Sequence, residues 1–337
     1  MLLAAALSLG LALRAPLATT AIALMVFGVL HNVLELRYIG GRFSSLLAGP
    51  LLRLLLTLVT GIVLVRLVGA LISTAWTMRL EILLTYGVLF AAVWTGLRHH
   101  RLALAAMSAL LALGTITSLL WPVYHVVVIT HLHNLVPLVF LWDFAQRFAP
   151  RVRITFLAVQ LTWVLVVPAV ILSGLLDRWI TGADAAAGLF TGQAGAVIAG
   201  TTPPGLWGTT AGGRFLAVFA FLQLMHFVVW VFFLPRYAPA TTAAFEAKVP
   251  WLRGWRTWAL GLGVGALLLV LFVVDYGQGR TVYSALASYH AFLELPVLLA
   301  IVLGFGAVRA QAPGAGPAQR STVSGQAPSH QVGTRVP

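Results

Sequence analysis

The chain has 337 residues, of which 60% are hydrophobic and 9% are charged, and its mean hydropathy is +0.97. An ordinary soluble domain carries about 25% charged residues, so this composition excludes a soluble globular protein. The net charge of +13 comes almost entirely from arginines between apolar blocks, a pattern that orients membrane helices and does not indicate nucleic-acid binding. The absence of cysteine excludes disulfides, thiolate-ligated haem and iron–sulfur centres on cysteine.

Apolar blocks follow one another along most of the chain. Each block is about 18–25 residues long, the length at which an α-helix crosses the roughly 30 Å hydrocarbon core of a bilayer. Nine blocks can be drawn, but the second and third are poorly separated, which leaves a count of eight open. In chain order the blocks cover 15–37, 50–74, 79–97, 102–121, 123–146, 153–176, 213–235, 257–275 and 281–306. The sequence therefore predicts an all-α integral membrane protein, a polytopic bundle of eight or nine transmembrane helices.

The connections between the blocks predict the orientation of the bundle. The first, third, fifth and seventh connections are rich in arginine, whereas the others are poorer in basic residues or carry acids as well. Because basic loops stay on the cytoplasmic side, we expect the N-terminus outside and the C-terminus in the cytoplasm. The membrane is predicted to be a bacterial plasma membrane.

Two further segments are defined by composition. Residues 1–310 are predicted to form one transmembrane domain, and residues 311–337, rich in Pro, Gly, Ser and Gln, a disordered cytoplasmic tail. The connection from Asp177 to Arg214 is the one long segment predicted on the outer side. Long connections of this kind are often functional, so we expect either a lid over an outer opening or a loop without fixed structure.

Two stretches, HNVLEL and HAFLEL, pair a histidine with a glutamate four residues later. On an α-helix these positions share one face, so His31 points with Glu35, and His290 with Glu294. Unpaired ionisable groups are costly in hydrocarbon, and within a membrane such residues face the bundle interior and mark functional sites. Arg37 follows Glu35 near the cytoplasmic end and could pair with it there, whereas Glu294 has no charged neighbour in the sequence.

Histidines in two more blocks lie at a similar depth. His131 and His133 fall near the middle of the fifth block and His226 near the middle of the seventh, so that five histidines are predicted to share one layer. His131 and His133 point about 200° apart on a regular helix, and both can reach one site only if the helix breaks. Pro137 lacks the N–H that would bond the carbonyl of His133 and therefore predicts a local break. Without such a break, His133 is favoured as the ligand; His125, nearer the outer end, is a weaker candidate.

These residues predict a metal site near the middle of the bilayer. General acid–base work is assigned to Glu294, because an apolar interior favours a carboxyl group that can hold and exchange a proton. The predicted metal ligands are His31, Glu35, His131, His133, His226 and His290.

Imidazole and carboxylate ligands suit iron, zinc and copper, and the predicted cofactor is a transition metal, with iron first and zinc or copper as alternatives. We expect a non-haem oxidoreductase or oxygenase that acts on a hydrophobic small molecule or lipid. The HxxxH and HxxHH boxes of membrane desaturases and alkane hydroxylases are absent, as is the HExxH motif of zinc proteases. Three alternatives stay open: a haem-binding electron-transfer protein, a proton-coupled transporter that uses the histidines and glutamates as a relay, and histidines that only hydrogen-bond their neighbours.

Overall fold

A computed structural model describes residues 1–72, 75–180 and 194–304 of the chain. Within these ranges nine helices are long and apolar enough to cross a membrane, and a shorter apolar helix, Leu2–Arg14, precedes them. The first to the ninth span are, in order, Pro16–Arg42, Gly49–Ile72, Trp76–Leu97, Arg101–Leu120, Pro122–Ala145, Pro150–Leu172, Thr210–Tyr237, Trp255–Val274 and Tyr276–Leu303. The described part of the chain contains no strand, so the predicted all-α polytopic bundle is confirmed, with nine spans.

The first, seventh and ninth spans form the centre of the bundle. They are the most buried of the nine, and the first span packs against the seventh, eighth and ninth. By contrast, none of the residues of the fourth span, all of which are described, is buried. The polar side chains of the central spans therefore face one another and not the lipid.

The fifth span is broken near its middle. Its first helix ends at Leu135 and its second begins at Pro137. The N–H of Val136 donates to the carbonyl of His133 at 3.2 Å, which satisfies the group that the proline leaves without its usual donor. The break predicted at Pro137 is therefore confirmed.

Two other spans contain a wider helical turn. The segments Thr162–Val166 and Val228–Phe233 are π-helical. Each contains the carbonyl four residues before a proline, Pro168 or Pro235, which has no N–H to bond it. Such turns absorb the backbone bond that the proline removes, and they are frequent at functional sites. The second π-helical segment begins two residues after His226, in the most buried span.

Ion pairs join the spans at the end of the bundle that carries the first, third, fifth and seventh connections, here named the basic end. Arg42 of the first span bonds Asp143 of the fifth through two hydrogen bonds of 3.1 Å. Arg37 bonds Glu246 on the seventh connection, and Glu246 also accepts the backbone N–H of Gly254 at 2.8 Å. The hydrogen bond from Gly254 and the charge of Arg37 together lower the pKa of Glu246. These contacts tie the first span to the fifth span and to the seventh connection.

The connection from Asp177 to Arg214 is described in part. Residues 181–193 lie outside the described residues, and so does the predicted tail, 311–337. The later part of the connection contains a short helix, Ala194–Thr201, which packs on the first and fifth spans. The lid expected here stays a prediction.

A glycine lets the eighth span approach the first span closely. Gly261 faces Leu30, whereas Gly263, two residues further along, faces open space. Small residues at such contacts let membrane helices pack closely, where no hydrophobic force drives them together. Because Leu30 directly precedes His31, this contact also positions the stretch of the first span that carries the candidate site.

Substituting Gly261 by alanine is expected to destabilise the bundle. A Cβ atom there would lie 2.8 Å from Cδ1 and 3.2 Å from Cα of Leu30, and overpacking of this kind costs about 1–3 kcal/mol. Gly263→Ala is the matched control, because its Cβ would have nothing within 4 Å and alanine favours a helix over glycine. Thermal unfolding in detergent should give a lower midpoint for Gly261→Ala than for Gly263→Ala. Equal midpoints would contradict the close packing of these spans.

Removing the carboxylate of Asp143 is expected to cost about 3 kcal/mol, because it breaks a largely buried ion pair that two hydrogen bonds hold to Arg42. The two side chains are only 7% and 11% exposed. Asp177→Ala provides the comparison, since Asp177 and Arg214 form a pair that is more exposed and such pairs contribute little. Urea unfolding in detergent should separate Asp143→Ala from Asp177→Ala, and similar losses in the two variants would count against a structural role for the Arg42–Asp143 pair.

Candidate metal centre

Four histidines from four spans meet in the middle of the bundle. His31, His133, His226 and His290 come from the first, fifth, seventh and ninth spans, and each lies within three residues of the midpoint of its span. Glu35 and Glu294 accompany them, one turn further along the first and ninth spans. These six side chains are named the His/Glu cluster below.

The four imidazole rings form a closed loop of contacts. The ring centroids of His31 and His226 are 5.2 Å apart, and those of His226 and His133 are 4.6 Å apart. His133 and His290 follow at 5.1 Å, and His290 returns to His31 at 4.9 Å. Each ring therefore touches two others, so that the ring nitrogens converge on a small volume.

Most polar atoms of the His/Glu cluster are buried and have no hydrogen-bond partner among the described residues. They are both ring nitrogens of His226 and of His290, Nε2 of His31, both carboxyl oxygens of Glu35 and Oε2 of Glu294. Buried polar atoms are nearly always bonded, and an unsatisfied one costs about 1–3 kcal/mol. Each neutral imidazole keeps one lone pair and each carboxylate keeps several, so the donor set fits a bound cation.

In His31 and His133, Nδ1 takes part in a hydrogen bond, so Nε2 is the ring nitrogen that can bind a ligand. Nδ1 of His31 donates to the carbonyl of Phe27 at 3.1 Å, so Nε2 keeps its lone pair. Nδ1 of His133 and Oε1 of Glu294 share a hydrogen bond of 2.6 Å. A carbonyl or a carboxylate on the second nitrogen is how metal-binding histidines are held in one tautomer and one orientation.

Two overlapping sets of ligand atoms are compact enough to hold an ion. One set comprises His31, His133 and His226, the other His31, Glu35 and His290, and within each set the ligand atoms lie within 4.8 Å of one another. Oε2 of Glu35 lies 3.8 Å from Nε2 of His226, which brings the two sets together. Three protein ligands with an open position are typical of catalytic metal sites, whereas structural sites are closed by four.

The sixth predicted ligand, His131, lies outside both sets. Its Nε2 donates to the carbonyl of Thr201 at 2.8 Å, and its ring packs against Phe215 and Phe219 of the seventh span. The helix is regular through Leu135, so residues two apart point in nearly opposite directions. The break in the fifth span follows both histidines and does not turn them toward one site.

Glu35 points into the His/Glu cluster and not toward Arg37. Its side chain is fully buried, and one of its oxygens belongs to the second ligand set. Arg37 instead bonds Glu246 on the seventh connection. The predicted pairing of Glu35 with Arg37 is therefore wrong. Side chains two positions apart on a helix point in nearly opposite directions, so Arg37 points away from Glu35.

A polar network beside His290 was not predicted from the sequence. Arg66 of the second span donates to Oγ of Ser288 at 3.0 Å and to Oε1 of Glu81 on the third span at 2.6 Å. Ser288 is fully buried and lies two residues before His290, so the network fixes the ninth span next to the cluster. The sequence does place an arginine inside the second apolar block and an acid inside the third. Because charged residues within membrane spans usually pair with one another, this contact could have been predicted.

Comparison of the chain with protein-family models, with curated proteins and with solved structures finds no match.

Proposed function

We propose that the protein is an intramembrane metalloprotein, a non-haem oxidoreductase or oxygenase that acts on a lipid-soluble substrate. The observation that carries the proposal is the convergence of four histidines and two glutamates, five of which have a buried polar atom without a hydrogen-bond partner among the described residues. Ionisable residues at this depth are expensive in a membrane, and they mark substrate, ion or proton sites.

The proposed ligands are the members of the two compact sets, and His131 is left out because Thr201 already bonds it. A donor set of imidazole and carboxylate without thiolate suits iron first, with zinc or copper as alternatives. His31 belongs to both sets but offers only Nε2, since Nδ1 bonds Phe27, so the two sets are alternative groups of ligands around a single ion. The ligands are His31, Glu35, His133, His226 and His290.

The residues of the cluster have separate tasks in this proposal. A bound iron, held by these ligands, would supply the redox chemistry by which molecular oxygen oxidises a lipid chain. Glu294 holds His133 with Oε1, while Oε2 has no partner among the described residues, so this carboxyl group can hold a proton and pass it to a substrate oxygen. The burial of the remaining members keeps bulk water away from the reacting atoms.

Contacts between the rings favour a non-haem ion over haem. Neighbouring ring centroids are 4.6–5.2 Å apart, so a porphyrin would have to enter between rings that already touch on both sides. A proton relay in a coupled transporter would use the same His133–Glu294 hydrogen bond. If the purified protein contained no metal, this proton relay would become the favoured alternative.

We also infer that the basic end faces the cytoplasm of a bacterial cell, with the N-terminus outside and the C-terminus inside. The support is the distribution of arginine, which follows the rule that basic connections stay in the cytoplasm. The substrate would come from the membrane and not from either aqueous side.

Replacing His133 by alanine is expected to empty the metal site, whereas His131→Ala should leave it filled. The two residues lie on one helix, but His133 belongs to a ligand set and His131 bonds Thr201. Metal content is measured by mass spectrometry on protein purified in detergent from cells grown with added iron and zinc. We expect stoichiometric metal in the wild type and in His131→Ala, and a loss of roughly tenfold or more in His133→Ala. Equal metal content in the two variants would remove His133 from the ligand set.

The same preparations distinguish the alternatives. A Soret band in the visible spectrum of the wild type would replace the non-haem ion with haem. A wild type without stoichiometric metal would overturn both metal proposals.

Glu294→Gln is expected to weaken metal binding by roughly 10–100-fold, as the loss of a carboxylate that orients a ligating histidine does elsewhere. The variant keeps the size of the side chain but removes its charge beside Nδ1 of His133. Glu246→Gln is the control, because Glu246 bonds Arg37 at the basic end, away from the cluster. Competition with a chelator of known affinity measures the change, and an unaltered affinity in Glu294→Gln would show that His133 needs no such partner.

A further inference from the structure

One member of the His/Glu cluster reaches the surface of the bundle. His133 has a side chain that is 22% exposed, whereas the other five residues are at most 2% exposed. His133 lies at the midpoint of the fifth span, so the surface that it reaches is at the depth of the hydrocarbon core. A molecule that approaches the cluster along this surface comes from the bilayer.

A strip of the fifth span leads from His133 toward the end opposite the basic end. His125, Ile129 and His133 are four residues apart and share one face of the helix, and none of the three is buried. In the helix Pro122–Leu135, all of it described, Val127 and Asn134 are the buried residues. The strip is therefore partly exposed over about 12 Å, at 1.5 Å per residue.

The far end of this strip is polar. Nδ1 of His125 bonds Oγ of Ser118 on the fourth span at 2.9 Å, and Oγ of Ser118 bonds the hydroxyl of Tyr86 on the third span at 3.0 Å. Hydroxyl groups both donate and accept, and Nε2 of His125 remains available. Three uncharged side chains from three spans thus form a head-group cluster, defined as Tyr86, Ser118 and His125, near the end of the fifth span.

We infer that the site takes a neutral, single-chain lipid alcohol that lies along this strip, with its hydroxyl at the head-group cluster and its reacting carbon beside His133. The head-group cluster offers hydrogen bonds without a charge, which fits a hydroxyl. The strip is one helix face wide, which fits one chain. Its length places the reacting carbon about 12 Å from the hydroxyl. The inference rests on the proposed function for the reaction at His133 and names the substrate class for it.

Photolabelling in nanodiscs tests this register. Two long-chain alcohols serve as probes, one with a diazirine next to the hydroxyl and one with the diazirine about 12 Å along the chain. After irradiation of the full-length protein, labelled residues are mapped by mass spectrometry of its peptides. We expect the first probe to label residues around His125 and the second to label residues around His133. Identical labelling by both probes, or labels spread evenly over all lipid-facing spans, would overturn the inference.

Variants of the head-group cluster sharpen the test. Ser118→Ala removes the hydroxyl shared by His125 and Tyr86, so labelling around His133 by the second probe should fall roughly threefold or more, the loss expected for one hydrogen bond. Thr117→Ala is the matched control, since Thr117 is exposed and bonds only carbonyls of its own helix; it should label as the wild type does. Tyr86→Phe gives an independent variant if Ser118→Ala does not fold, and full labelling in a folded variant contradicts the proposed head-group site.

Metal content measured on the same samples keeps the two proposals apart. Ordered labelling without bound metal would sustain the lipid site and overturn the proposed metalloprotein. Bound metal with labels spread over all spans would support the metalloprotein and overturn the lipid site.

Discussion

Polar side chains in the middle of a bilayer must point inwards, because an unpartnered polar group in hydrocarbon costs several kcal/mol. This constraint fixes the rotation of the central spans about their axes, since the histidines and glutamates of the first, seventh and ninth spans all face one point. It also accounts for the position of the fourth span, which carries no histidine or acid within its length and has no buried residue. The arrangement of the spans thus follows from which of them carry ionisable residues.

One histidine of the same bundle shows what a purely structural role requires here. His131 bonds the carbonyl of Thr201, so it meets its need for a partner in the ordinary way. His226 and His290 are more deeply buried, yet neither of their rings has a hydrogen bond among the described residues. This contrast within one chain is what supports the proposal that the cluster histidines bind a ligand.

Features with a local cause could be predicted from the sequence. Hydropathy marks the spans, the spacing of His31 and Glu35 follows from helical periodicity, and the break after Leu135 follows from proline chemistry. Pairings between distant residues could not be predicted. His131 finds its acceptor 70 residues away, and Arg37 finds Glu246 209 residues away. Such partners depend on how spans and connections pack, which no local pattern contains.

The unsatisfied atoms of the His/Glu cluster lower the stability of the protein, and other contacts must offset that loss. Each unsatisfied buried atom costs about 1–3 kcal/mol, whereas apolar side chains of similar volume would carry no such cost. Arg42 with Asp143 holds the first span at the basic end, and Gly261 against Leu30 holds it near the middle. A strained polar centre held by a well-packed frame is the expected form of a functional site. Stability alone gives no reason for histidine at these positions, whereas the proposed binding of a cation would give one.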